Sequence, residues 1–297
     1  MSDSKVVRLG VIGGSGVYEM EGVDIVAEHD IDTPFGKTSD TITETSIEGR
    51  SVYFLPRHGR GHVHLPSEIP NRANIYGFKT LGVTHVLGVS AVGIMKEHIS
   101  PGDMIVPDQI FDRTRGQRAS TFFGDGIVGH VMFADPFCDE LRTITVQAAK
   151  DVGATVHDGG DYICMEGPQF STRAESHFYR ETLSPSVIGM TAIPEAKLAR
   201  EAEMCYAIVA TGTDYDCWHE GEEDVTVEAI IEVLHKNADI AKAIVKKTAV
   251  ALPETSVCEC LSAAKFAIMT RPDKMPAETK AKLDVLFGHY WSLDTTS

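Results

Sequence analysis

Apolar positions along the chain follow two periods. Compact apolar runs at 6–12, 83–89, 103–107, 155–165, 187–191 and 205–213 predict strands, several covered on both faces. Apolar and polar residues alternate at 41–44 and 51–56, which predicts two more strands. Helical spacing over 71–81 places Ala73, Ile75, Phe78 and Leu81 on one face, and Gly82 supplies a stop. The same spacing predicts helices over 137–152, 172–183, 195–203 and 226–251, the last being the longest. Residues 108–129 are polar and glycine-containing and read as a long functional loop. An apolar segment follows at 261–269, and the tail from 271 to 297 is weakly patterned apart from a helix over 280–287. Strands alternating with helices along nearly the whole length predict a single α/β domain over 1–297, a mixed, largely covered sheet surrounded by helices.

Composition changes this picture little but narrows the partners. The 297 residues carry 27 basic and 43 acidic side chains, a formal net charge of −16. Such a surface repels nucleic acid and anionic membrane, although a local pocket can still be positive. No apolar run reaches the ~20 residues that span a bilayer. The start, Met1 to Lys5, lacks the basic and apolar regions of a secretory signal, so a cytoplasmic protein is expected. Six cysteines are too few for a disulfide scaffold. Cys138, Cys164, Cys205, Cys258 and Cys260 lie in or beside apolar segments and read as buried thiols. Cys258-Glu259-Cys260 could serve redox chemistry or form half a metal site. With no second cysteine pair to complete a thiolate set, no metal is expected, while a disulfide would suit an organism that lives hot.

Candidate chemistry clusters at the ends of predicted strands. Gly13-Gly14-Ser15-Gly16 allows a tight turn whose amides can cradle an anion, with Ser15 adding a hydroxyl; a plain structural turn fits equally well. It matches neither the dinucleotide fingerprint nor the P-loop. Arg57-His58-Gly59 follows another strand, and an arginine fork can grip an anion. Rival readings of this segment are a histidine-phosphatase element, a zinc site from His58, His62 and His64, or a solvated loop. Ser90-Ala91 and Met190-Thr191 are further strand ends bearing hydroxyls. Asp214 and Asp216, two apart on an extended segment, could recognise and protonate a heterocycle or cap a turn. Phe170 could stack on a flat ring or belong to the core.

Together these blocks resemble the 5'-methylthioadenosine phosphorylases of the trimeric purine nucleoside phosphorylase superfamily. The likeness extends through Asp32-Thr33-Pro34-Phe35-Gly36, Arg57 to His62, Pro101-Gly102-Asp103, Asp112-Arg113-Thr114, Glu166 to Glu175, Met190 to Glu195 and Ala210 to Trp218, over three quarters of the chain. The resemblance implies a nucleoside phosphorylase-like fold with a twisted mixed sheet. It implies phosphate ligands at Ser15, Arg57, His58, Ser90 and Thr191, with Ser15 and Ser90 standing where threonine is usual. Ala91, Phe170 and Met190 would bind the nucleoside, Asp214 would protonate the base at N7, and Asp216 would accept from the 6-amino group. Val227, Ile230 and Ile231 would wall the 5' end, and His130 would enter from a neighbouring subunit of a trimer or hexamer. Gly189 departs from the family, where animal enzymes carry asparagine. The implied reaction splits 5'-methylthioadenosine with inorganic phosphate as co-substrate and no cofactor, giving adenine and 5-methylthioribose 1-phosphate for purine and methionine salvage. The alternative is a broader purine nucleoside phosphorylase acting on adenosine or inosine.

Overall fold

The computed structural model describes residues 4–14, 24–219 and 227–291. Its centre is an 11-stranded mixed sheet. In chain order the strands are β1 (Leu9–Gly13), β2 (Ile25–His29), β3 (Ile42–Ile47), β4 (Arg50–Pro56), β5 (His85–Ile94), β6 (Met104–Val106), β7 (Gln109–Arg113), β8 (Val156–Asp158), β9 (Asp161–Met165), β10 (Val187–Gly189) and β11 (Cys205–Asp214). The helices are α1 (Asn71–Thr80), α2 (Asp139–Asp151), α3 (Arg173–Phe178), α4 (Ala192–Glu201), α5 (Val227–Ala251), α6 (Ala277–Lys282) and α7 (Asp284–Trp291).

Side-chain alternation along the central strands feeds two cores, one on each face of the sheet. On β11, Tyr206, Ile208 and Ala210 join one apolar cluster with Ile75 and Phe78 of α1, Leu198 of α4 and Phe287 of α7. Cys205, Ala207 and Val209 point the other way, into a cluster with Leu141 and Val146 of α2 and Ile244 and Val245 of α5. β4 divides likewise, Tyr53 and Leu55 to the first cluster and Val52 and Phe54 to the second. Burial on both faces is why these strands read as continuous apolar runs. The short α3 is closed at its start by a reciprocal capping box between Thr172 and Glu175, and a π-helical turn, Tyr179–Leu183, continues it.

Three details differ from the sequence reading. The stretch expected to be loop from 108 contains β7, which pairs in parallel with β9. The run at 155–165 is broken by Gly159 and Gly160, both at positive φ, into β8 and β9, which join different partners. The tail holds two helices, α6 and α7, meeting at Leu283.

The topology of β5 decides where a ligand can sit. Along one edge β5 pairs in parallel with β11 from His85 to Gly93. Its other edge is shared. β1 pairs with it from His85 to Val89, and β10, running antiparallel, pairs only at Gly93 and Ile94. Ser90, Ala91 and Val92 are left between the two partners. Such a switch of partners at the end of a sheet opens a crevice, the usual binding position in open α/β folds.

Candidate active site

A cavity of about 630 Å³ occupies this crevice, a size suited to a small organic ligand. Its walls bring together nearly all the strand-end residues singled out in the sequence. Gly14, Arg57, His58, Ser90 and Thr191 line it, as do Ala91, Phe170, Met190, Asp214, Asp216, Val227 and Ile231. Ser15 lies outside the described residues, and so does the side chain of Ile230. His130 does not line the cavity of its own chain; it lies exposed, with its amide bonded to the Ala267 carbonyl.

Two candidate anion hydroxyls are already adjacent. Extending the β5–β10 register beyond Gly93 and Ile188 sets Ser90 opposite Thr191, and their hydroxyl oxygens are 2.8 Å apart. Arg57 follows β4, with its amide donating to the Gly13 carbonyl at 2.9 Å, so the two strand ends are tied together. Its guanidinium is almost fully enclosed and largely committed. Nε and Nη2 donate to the Glu195 carboxylate at 2.5 and 3.2 Å, Nη2 to the Ile12 carbonyl at 3.0 Å, and Nη1 to the Val89 carbonyl at 2.8 Å. Five N–H groups and four bonds leave one Nη1 hydrogen for the cavity. Tyr206 adds a fifth member, donating to Glu195 at 2.8 Å.

His58 faces the cavity with a fixed tautomer. Its Nδ1 donates to the His64 carbonyl at 2.8 Å, and its ring stacks on His62 with centroids 4.2 Å apart. Burial pushes the His58 imidazole down to about 4, helped by the charge of Arg57 and the neighbouring His62 and His64, and opposed by the bond to the His64 carbonyl. The neutral ring therefore turns an unprotonated Nε2 towards any partner it meets. The sign for stability follows. The unfolded chain protonates His58 near 6.5, well before the native chain does, so His58 weakens the native state as pH falls from 6.5 towards 4. Thermal melts over that window should show a shallower loss of Tm in His58→Gln than in the parent.

The two aspartates line the same cavity beside Gly93, three residues along β5 from Ser90. Asp214 ends β11 and accepts from the Thr213 hydroxyl at 2.7 Å and from the Asp216 amide at 2.8 Å, which fixes its carboxylate plane. Asp216 adopts a left-handed backbone (φ 52°), a strained conformation of the kind that concentrates at functional sites. Burial raises its carboxyl above the usual range. Gly93 lies beneath the pair: a Cβ there would come within 3.4 Å of Asp214 Oδ1 and of the Asp216 Cβ.

Several positioning residues were not visible as such in the sequence. Glu195 carries Arg57 from a position 138 residues away. Arg118, in the stretch read as loop, holds the Met190 strand end from below. Its Nη1 donates to the Met190 and Ile193 carbonyls at 2.6 and 2.7 Å, and its Nε to Glu166 at 2.7 Å. Tyr162 explains Gly189, since a Cβ at Gly189 would lie 2.0 Å from the Tyr162 hydroxyl, which is fully buried. Gly189→Ala should therefore displace the strand end that carries Met190 and Thr191, at a cost of about 1–3 kcal/mol, readable as a lower Tm and a higher KM for the nucleoside.

Residues 8–249 match the family model of the phosphorylase superfamily. The S-methyl-5'-thioadenosine phosphorylase of Geobacter sulfurreducens is 54% identical over 282 residues, covering 95% of this chain and 98% of its own. A crystal structure of a methylthioadenosine phosphorylase sourced from an antarctic soil metagenomic library superposes with a TM-score of 0.87 at 46% identity, covering 95% of this chain and 99% of that one. The methylthioadenosine phosphorylase of Schistosoma mansoni in complex with adenine gives a TM-score of 0.82 at 35% identity, with 87% and 96% covered. With the fold, the crevice and these likenesses in agreement, the chain belongs to the methylthioadenosine phosphorylase family of the phosphorylase superfamily.

Proposed function

We propose that the protein cleaves 5'-methylthioadenosine by phosphorolysis, releasing adenine and 5-methylthioribose 1-phosphate for purine and methionine salvage. The observation that carries this reading is the lining of one cavity. Gly14, Arg57, His58, Ser90 and Thr191, suited to an anion, line the same cavity as the carboxylates Asp214 and Asp216.

Phosphate lies against Gly14 and receives hydrogen bonds from Ser90, Thr191 and the remaining Arg57 N–H, with the hydroxyl of Ser15, outside the described residues, as a further donor. His58, neutral with a free Nε2, accepts from a protonated phosphate oxygen or takes up a proton as the anion binds. Met190 and Ala91 lie under the sugar and Phe170 beside the base. As the glycosidic bond lengthens, positive charge on the sugar meets the phosphate anion, which then bonds to C1' with inversion. Negative charge gathers on the leaving purine, and Asp214, entering the step protonated, delivers that proton to N7 and is left as the carboxylate. Asp216 accepts from the 6-amino group, whereas a 6-oxo group would bring oxygen against oxygen in an enclosed site. Val227 and Ile231 give the methylthio group an apolar wall. The steps need positioning and charge matching, with phosphate as co-substrate and no organic cofactor.

The protein also works as a homo-oligomer, a trimer or hexamer, in which His130 of one subunit completes the next subunit's cavity. What supports this is the exposure of His130 on a segment that also exposes Val128 and Met132. Among the described residues, no helix is long and apolar enough to cross a membrane.

Initial rates of adenine release from methylthioadenosine and adenosine, and of hypoxanthine release from inosine, with and without phosphate, test the proposal. Strong phosphate-dependent turnover of methylthioadenosine with little of inosine supports it. Comparable inosine turnover moves the reading to a broad purine nucleoside phosphorylase and removes the assigned role of Asp216.

A further inference from the structure

Far from the cavity, four thiols meet that the reaction does not use. Cys138, Cys205, Cys258 and Cys260 have their sulfur atoms all within 4.8 Å of one another. Cys138 and Cys258, 120 residues apart, are separated by 3.7 Å at sulfur. A tetrahedral zinc site with Zn–S bonds of about 2.3 Å has sulfur–sulfur edges of about 3.8 Å. The Cys-X-Cys segment supplies two of these four sulfurs. Its missing partners come from the start of α2 and the first residue of β11, which no sequence spacing reveals.

We propose that these four cysteines form a closed tetrathiolate site for one structural zinc ion. Each ligand is held by backbone or side-chain contacts independent of the sulfurs. The Cys138 amide donates to the Tyr206 carbonyl at 2.8 Å, and the Cys205 amide to the Thr84 carbonyl at 2.9 Å. The Cys258 amide donates to the Ser256 hydroxyl, which itself donates to Glu140 of α2 at 3.0 Å. The Cys260 carbonyl accepts from the Ala263 amide at 3.3 Å, and Lys5 reaches the next carbonyl, that of Leu261, at 2.7 Å. This outer layer aims four soft ligands at one point, as tetrahedral metal sites require. Cys138 and Cys205 are buried, and Cys258 and Cys260 are half-buried at the edge of the core cluster of α2 and α5. Cys138 also occupies the N-cap position of the 13-residue α2, where the helix dipole favours negative charge.

The site is structural by position. Cys205 opens the strand that Asp214 closes, and nine steps at a strand's rise separate them by roughly 30 Å. The ion would clamp the segment leaving α5 to α2 and to the sheet. Binding releases the thiol protons and leaves every other bond unchanged, so no oxidant or reductant is needed.

The test uses the full-length protein, produced in medium containing both zinc and iron and purified without chelator. Elemental analysis should find about one zinc per chain, as for a single closed site. Titration of the parent protein with an organomercurial should release that zinc to a chromogenic chelator, which keeps the test valid if the variants fold poorly. Cobalt substitution should give the intense visible bands of a tetrahedral tetrathiolate. Cys258→Ser with Cys260→Ser should lose the metal and lower Tm, while kcat at 25 °C stays within twofold in whatever fraction remains folded. Metal-free chains with four titratable thiols, two disulfides found by non-reducing mass spectrometry, or one iron in place of zinc would each overturn the assignment.

Discussion

Asp214→Asn lowers kcat for methylthioadenosine phosphorolysis by about 10²–10⁴-fold, the usual contribution of a positioned general acid, with little change in KM. The carboxylate sits in a fixed plane, bonded to the Thr213 hydroxyl and the Asp216 amide. An asparagine keeps the shape and can still accept one of those bonds, so the fold and the nucleoside's binding survive. What it cannot do is release a proton as charge builds on the purine. The loss therefore falls on the transition state, which is why kcat and kcat/KM fall together. Steady-state rates at saturating phosphate provide the check. A rise in KM larger than the fall in kcat would mean that Asp214 merely holds the substrate. The neighbouring Asp216→Asn separates the two carboxylates: it should raise inosine turnover relative to methylthioadenosine, because an amide can donate to a 6-oxo group.

Glu195→Gln is expected to be the most destabilising single change at the site, about 3–5 kcal/mol, because it leaves a buried arginine charge without its counter-ion. Arg57 and Glu195 are each 1% exposed, and the carboxylate also receives Tyr206. A glutamine offers one acceptor oxygen where three donors now converge on two. For a chain of this size the loss corresponds to a Tm lower by about 5–8 °C. Since Arg57 bridges the ends of β1 and β5 through the Ile12 and Val89 carbonyls, its displacement should also raise the KM for phosphate. Thermal denaturation, paired with initial rates across a range of phosphate concentrations, measures both effects. An unchanged Tm in Glu195→Gln would show that Arg57 finds other partners. Unchanged phosphate KM in a destabilised variant would remove Arg57 from the anion site.

Much of this architecture was legible in the sequence because the central strands are buried on both faces and their ends carry the chemistry. The runs at 83–89 and 205–213 mark β5 and β11, and Ser90 and Asp214 follow directly from where those runs stop. Edge strands were harder to see. β2 is mostly exposed, with Ile25 and Val26 both in solvent, so its composition carries no burial signal. β7 places Ile110 and Phe111 among Gln109, Asp112 and Arg113, a pattern that reads as polar loop. Contacts between distant segments left no local trace at all. Glu195 reads as an ordinary first-turn acid of a helix, Arg118 as a loop cation, and Cys138 and Cys205 as core thiols. Each acquires its role only when the sheet brings it to a partner tens of residues away. Gly189 is the reverse case, a residue whose departure from the family was plain in sequence but whose cause, the Tyr162 hydroxyl, is three-dimensional.

The most direct test of the account is the fate of phosphate. Phosphorus NMR of a reaction containing methylthioadenosine and inorganic phosphate should show one new phosphomonoester, the α-anomer of 5-methylthioribose 1-phosphate, accumulating in step with free adenine. Adenine released with free 5-methylthioribose and no phosphate incorporated would contradict it, because Gly14, Arg57, Ser90 and Thr191 would then not be holding the nucleophile.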